Sequence, residues 1–227
     1  MRMIILLRID ILFFKNYIMA EKRTKQHPCS IRYNVYRKDK KFVGYDSAKK
    51  EKIEKEIKGT VLNVVDAFRS VGDWTKDSEK IYCNEVGDLK EDLDVYVYRD
   101  NKREPIAKGK WKEIKEDVND VGWRLKLNVY SMNSDGMLEC YSLSWASMIP
   151  FLNDYKADFE NKVFQIQGVK EWENNGFKCY SFEMKSRDIK KDEKESKEDA
   201  KMNIYAYLNN AEFTVKETKK EEQNFPF

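Results

Sequence analysis

The chain has 227 residues, 41% hydrophobic and 37% charged, which suits one domain with a real core plus appendages, or two small domains, and excludes a chain buried throughout. Forty-three Lys and Arg against 40 Asp and Glu leave a net charge of +3, a balance that neither supports nor excludes a nucleic-acid partner. His27 is the single histidine, and Cys29, Cys83, Cys140 and Cys179 are scattered with no CxxC pair, so a zinc site is not expected and histidine-dependent acid–base or triad chemistry is nearly closed off.

Residues 1–18, MRMIILLRIDILFFKNYI, carry an apolar stretch from Met3 to Phe14 that is short for a spanning helix and is broken by Arg8 and Asp10. The favoured reading is an upstream extension, with Met19-Ala20-Glu21-Lys22 as an ordinary start; the alternative is a membrane anchor or uncleaved signal. Residues 1–29 are taken together as a disordered leader, and the four cysteines as reduced thiols of a cytosolic protein.

From Ser30 the pattern turns to period two. SIRYNVYRKDKKFVGYD predicts a hairpin, with Ile31, Tyr33 and Val35 on one strand and Phe42, Val43 and Tyr45 on the next. Ala48–Lys58 reads as a charged spacer. TVLNVVDAFRSVGDW predicts a buried strand and KIYCNEV a second. LDVYVYRD alternates cleanly, placing Leu93, Val95 and Val97 on one face and Asp94, Tyr96 and Tyr98 on the other. PIAKGKWKEIKEDV starts extended and becomes helical, with Trp111, Ile114, Lys115 and Val118 at three-to-four spacing.

GWRLKLNVYSM and GMLECYSLSW are two alternating strands joined by the turn Asn133-Ser134-Asp135-Gly136. ASMIPFLNDYKADF predicts a short helix, with Pro150 in its first turn or at a kink. KVFQIQGVKEWE and GFKCYSFEMK form a last hairpin over Asn174-Asn175-Gly176. So many short strands with one or two short helices predict a mainly β fold: a closed or nearly closed antiparallel barrel over residues 30–185. Beyond it, residues 186–227 read as a charged linker, or a marginal charged helix, and a disordered tail.

Aromatics interleaved with cations on strands suit base stacking beside phosphate neutralisation. The bland alternative is that these rings fill the core or a dimer interface. Alternation places Tyr96 and Tyr98, next to Arg99 in the same cation–aromatic set, off the core face of their strand, and separates Trp123, Leu125, Leu127 and Val129 from Arg124, Lys126, Asn128 and Tyr130. Trp123 is therefore expected in the core, with Arg124, Lys126 and Tyr130 on a binding face. KGKWKEIK sets Lys108, Lys110 and Lys112 around Trp111, either a solvated face or a phosphate track. Glu85, Asp88, Asp92 and Asp94 supply carboxylates a Mg²⁺-dependent nuclease would need, without a spacing that singles out a pair.

The segments IYCNEVGDL, IAKGKWKEIK and LNVYSMNSDGMLECYSLSWASMIPFLNDY, followed by the closing hairpin, resemble in order the OB-fold single-stranded DNA-binding proteins of tailed bacteriophages, over about residues 60–185. Trp145-Ala146-Ser147 departs from the Gly-Ala pair of that pattern. The tip Glu221-Glu222-Gln223-Asn224-Phe225-Pro226-Phe227 resembles the acidic Pro-Phe tail by which bacterial single-stranded DNA-binding proteins dock partners, though lysines precede it.

The resemblance implies a non-enzymatic, sequence-independent single-stranded DNA-binding protein without cofactor or metal. It would act in replication, recombination or repair in the cytoplasm of an infected bacterial host. Glu221, Glu222, Phe225, Pro226 and Phe227 would recruit replication or recombination proteins. A homo-oligomer is compatible with this reading, and membrane association is not expected. A phage structural or assembly protein and a nuclease are the alternatives.

Overall fold

The computed structural model describes residues 27–36, 41–73, 81–100, 102–120, 122–174 and 177–209. The leader and the Phe-Pro-Phe tip lie outside the described residues. Contacts divide the chain into residues 28–203 and a second unit made of residues 1–27 and 204–227. In the second unit the His27 ring meets Tyr207 edge-on, with centroids 5.1 Å apart.

The larger unit is mainly β. Its principal sheet has eight strands in the order β11-β10-β4-β8-β9-β1-β2-β3 and curls into a half-barrel. These strands are β1 (Ile31–Tyr36), β2 (Lys41–Asp46), β3 (Glu51–Glu56), β4 (Val61–Asp73), β8 (Trp123–Met132), β9 (Leu138–Ser144), β10 (Lys162–Asn174) and β11 (Phe177–Asp188). A second sheet joins β5 (Ile81–Cys83), β6 (Leu93–Arg99) and β7 (Lys102–Gly109). Three helices complete the fold: α1 (Trp111–Asp120), α2 (Trp145–Tyr155) and α3 (Lys191–Leu208).

The hairpins expected at β1–β2, β8–β9 and β10–β11 all form. The β8–β9 turn is pinned by Asn133, whose Oδ1 accepts from the amides of Asp135 at 2.9 Å and Met137 at 3.0 Å, with Gly136 at φ +74°. The sheet curls without closing, with β11 and β3 as its edges, and it includes one parallel pair, β1 on β9, rather than antiparallel pairing throughout. Curl is legible in a single contact. β3 and β9 are three strand spacings apart, about 14 Å on a flat sheet. Yet Lys55 Nζ on β3 donates to Glu139 Oε2 on β9 at 3.0 Å and to Tyr141 Oη at 2.9 Å. Inside this curve Tyr33 stacks on Tyr141 at 5.1 Å and Phe42 meets Tyr141 edge-on at 4.8 Å.

One stretch departs from expectation, and a second takes the helical one of its two expected forms. The charged spacer is in fact β3, an edge strand: Glu51, Lys52, Glu54 and Glu56 are exposed and guard the open edge, while Ile53 and the inward-reaching Lys55 are half-buried. The charge-rich segment after Met184 continues β11 to Asp188 and then forms α3. Glu193 holds α3 at its start. It accepts from the Lys190 amide at 2.9 Å and from Arg187 Nη1 at 2.8 Å, and the Arg187 hydrogen bond holds its carboxyl down at about 2. Glu113 makes the same reach-back to the Lys110 amide at 3.1 Å where α1 starts.

The core is continuous through both sheets of this unit. Leu93, Val95 and Val97 of β6 are fully buried beside Val118 of α1 and Leu127 of β8. Val86 stitches the small sheet to β4 by two backbone hydrogen bonds with Arg69, at 2.8 and 2.9 Å.

Candidate nucleic-acid interface

The small sheet keeps the alternation its sequence promises. Val95 and Val97 face the core with no exposure, and Tyr96 faces the other way, half-buried. Its cross-strand partner is Tyr82 on β5, and the two rings stack at 5.5 Å and 13°. Across β7 the Arg103 guanidinium lies over the Tyr96 ring at 4.0 Å and pairs with Asp94. Asp94 stands opposite Lys108 in the register, so Lys108 shares this outward face. The side chain of Tyr98 lies outside the described ones. The result is a stacked pair of rings with a guanidinium over one of them and cations alongside.

Arg99 sits at the end of β6, exposed and paired with Glu104 at 2.9 Å. Lys108, Lys110 and Lys112 are exposed along the passage from β7 into α1. Trp111 does not stand out among them; it is half-buried and packs on the core, anchoring the first turn of α1.

The second expected face, on β8, is different. Arg124 is exposed, but its Nη1 donates to the carbonyls of Asn119 at 2.9 Å and Trp123 at 2.6 Å, placing its charge at the C-terminal turn of α1. Lys126 is half-buried, and burial lowers its pKa, with Arg32 adding to the effect. Its stem runs over Gly72, where a Cβ would come within 2.7 Å of Lys126 Cδ. Tyr130 is fully buried, a correction to the expected exposure. Its hydroxyl donates to Glu85 Oε2 at 2.8 Å, and Phe68 packs edge-on at 5.9 Å. Alternation misplaces Tyr130 because both faces of β8 are covered beyond Lys126. Trp123 is in the core as expected, 4% exposed.

The cover over β8 comes from Asn84-Glu85-Val86, and each residue has a distinct task. Asn84 Oδ1 accepts from the Asp94 amide at 2.7 Å, and its Nδ2 donates to Asp92 O at 3.0 Å. Glu85 takes the Tyr130 hydroxyl and, through Oε1, Asn128 Nδ2 at 2.5 Å; burial raises its pKa. Asn128 Oδ1 in turn accepts from Ser142 on β9 at 2.7 Å. Cys140, also inside, is pushed up to about 12 by burial, an inert thiol at neutral pH.

Of the nuclease-type carboxylates, Glu85 and Asp94 are thus engaged within the fold. Asp88 accepts from the Lys90 amide at 2.9 Å, which holds its pKa below the usual range. Among the described residues no group of three or more His, Cys, Asp or Glu is placed to hold a metal ion. None of the four cysteines is joined in a disulfide.

Sequence reasoning passed over Tyr82 and Arg103, although both had signals. Tyr82 alternates between Ile81 and Cys83, and Arg103 follows the β6–β7 turn, where Asp100 takes φ +48°. It expected the β10–β11 hairpin but passed over the cation and aromatic that its arm carries. β10 meets β4 only at Phe164 and Gln165, so the distal ribbon pairs with itself alone. Lys170 and Trp172 share one face of that ribbon, and Trp172 is 37% exposed.

Compared with protein-family models, curated proteins and solved structures, the chain finds no match.

Proposed function

We propose that the chain binds single-stranded DNA without sequence preference, using the outward face of the small sheet. The observation that carries this reading is the Tyr82–Tyr96 stack, with the Arg103 guanidinium over Tyr96. A nucleobase extends such an array by stacking, worth about 1–3 kcal/mol per base, and needs no particular base to do so. The Arg103–Asp94 and Arg99–Glu104 pairs are no obstacle. Exposed ion pairs are worth only about 0.2–1 kcal/mol, so a phosphate can take the place of either carboxylate. Lys108, Lys110 and Lys112 supply further cations that need only proximity to a backbone, and Lys170 with Trp172 repeats the cation–aromatic pairing on the arm.

In this proposal the protein coats single strands during phage replication, recombination or repair, in the host cytoplasm. The Phe225-Pro226-Phe227 tip recruits partner proteins. Among the described residues no helix is long and apolar enough to cross a membrane.

Anisotropy titration of labelled oligo(dT) at several salt concentrations tests the reading. Replacing Lys108, Lys110 and Lys112 by Gln should flatten the salt dependence, by a slope of about 0.7 for each phosphate no longer neutralised. Tyr82→Leu should instead weaken binding by a similar factor at every salt concentration. No binding by the wild-type chain at low salt refutes the proposal; co-purification with virus particles would then favour a structural role.

A further inference from the structure

We infer that Glu85 is a positioning residue for the stacking surface, through its buried ties to Asn128 and Tyr130. This inference rests on the function proposed above.

Glu85 lies two residues beyond β5, the three-residue strand that carries Tyr82. So short a strand fixes its own direction poorly. Tyr82 is held on one side by pairing with β6, and beyond Cys83 the chain is steered by what residues 84–86 grip. Val86 sets the distance to β4 through the two hydrogen bonds with Arg69. Glu85 sets direction, because a carboxylate taking two donors from two β8 side chains has one orientation that satisfies both.

An apolar residue would cover β8 at less cost, since a carboxylate loses hydration when buried and its pKa rises accordingly. What the carboxylate adds is angular definition. The ties do not end there: Asn128 is itself oriented by Ser142, so the large sheet presents Glu85 with a donor that cannot rotate away. Rotation of the 84–86 segment would swing Tyr82 and misalign it with Tyr96, whose rings now lie within 13° of parallel.

The test uses the full chain and labelled oligo(dT), with circular dichroism and thermal melting on the same samples. Glu85→Ala removes the ties without a new charge, and should weaken binding about tenfold, the order of a single base stack, while the chain stays folded at the assay temperature. Asn128→Asp sets two carboxylates against each other and should weaken binding further. Adding Glu85→Gln to Asn128→Asp exchanges donor and acceptor, preserves the charge and the Ser142 bond, and should restore wild-type affinity.

A purely structural role predicts that Asn128→Asp lowers the melting temperature and leaves the affinity of the folded chain unchanged, the exchange then restoring the melting temperature alone. That result overturns the inference, as does a folded Glu85→Ala chain with undiminished affinity. If Asn128→Asp fails to fold, Glu85→Ala decides alone. Failure of the wild-type chain to bind would overturn the function and this inference together; a binding wild type with an unaffected Glu85→Ala overturns the inference only.

Discussion

β6 and β8 read alike as sequences, each with apolar residues at every second position and an aromatic–cation set between them, yet their second faces have opposite fates. On β6 the alternation divides core from surface: Val95 and Val97 are sealed and Tyr96 is half out. On β8 it divides one buried layer from another. Leu125, Leu127 and Val129 meet the core, while Asn128 and Tyr130 meet Glu85 under the 84–86 segment. Period two reports that a strand has two faces. It does not report how many are covered, which depends on what the rest of the chain lays on top.

Exchanging aromatic truncations between the two strands would break this comparison most sharply. Tyr130→Ala empties a fully buried ring site and orphans a hydrogen bond to Glu85, and should cost about 3–5 kcal/mol in urea unfolding. A loss below about 1 kcal/mol, the value usual for surface substitutions, would show that the second face of β8 is wet.

Most of the elements were legible because hairpin signals are local: Asn133 to Gly136, Asn174 to Gly176 and the alternation of β6 each need only neighbouring residues. Long-range placement was not. Nothing near Tyr130 announces that Glu85, far upstream in the chain, will sit over it, and the parallel β1–β9 pair leaves no mark in either strand. The site was half legible for the same reason. Tyr96 follows from its strand, but Tyr82 and Arg103 become its neighbours only through register. Charge density misled at β3, read as a spacer, and left α3 undecided between linker and helix, because long stems let lysine-rich segments cover apolar ground. β3 guards a sheet edge, and α3 buries Lys197 to 2% exposure.

Lys197 sharpens the comparison as a buried cation set against the half-buried carboxylate of Glu85. Its Nζ donates to the Phe159 carbonyl, and Asp66, Glu160, Glu198 and Lys201 are the charged groups around it. Burial lowers its pKa to about 8, against 10.5 for the free side chain. Between those values the unfolded chain holds a proton that the folded chain has lost, so stability from this group rises with pH across the window. Below pH 8 both states are protonated and the folded state carries the full penalty, of order 3 kcal/mol. Lys197→Met keeps the stem and removes the charge at the loss of one hydrogen bond worth about 1 kcal/mol. The variant should therefore be about 2 kcal/mol more stable than wild type at pH 7, and the advantage should vanish by pH 10.5. Urea unfolding at both pH values measures this, and a variant less stable at pH 7 would mean that the site is hydrated.

The smallest expected effect on stability falls on the opposite member of the tyrosine pair. Tyr96→Leu keeps an apolar stem on the outer face of β6 and removes the ring that Tyr82 and Arg103 share. A surface stack and a surface cation–π contact are worth about 0.5–1 kcal/mol each, and leucine recovers part of the buried area, so unfolding should shift by no more than about 1 kcal/mol. Binding should behave in the reverse sense to Tyr130→Ala. Loss of one stacking ring should weaken oligo(dT) affinity by about 1–3 kcal/mol, with the salt dependence unchanged because every cation stays in place. A Tyr96→Leu chain that unfolds early and binds as before would place this ring with the core, and would make the outer face of the small sheet a second version of β8.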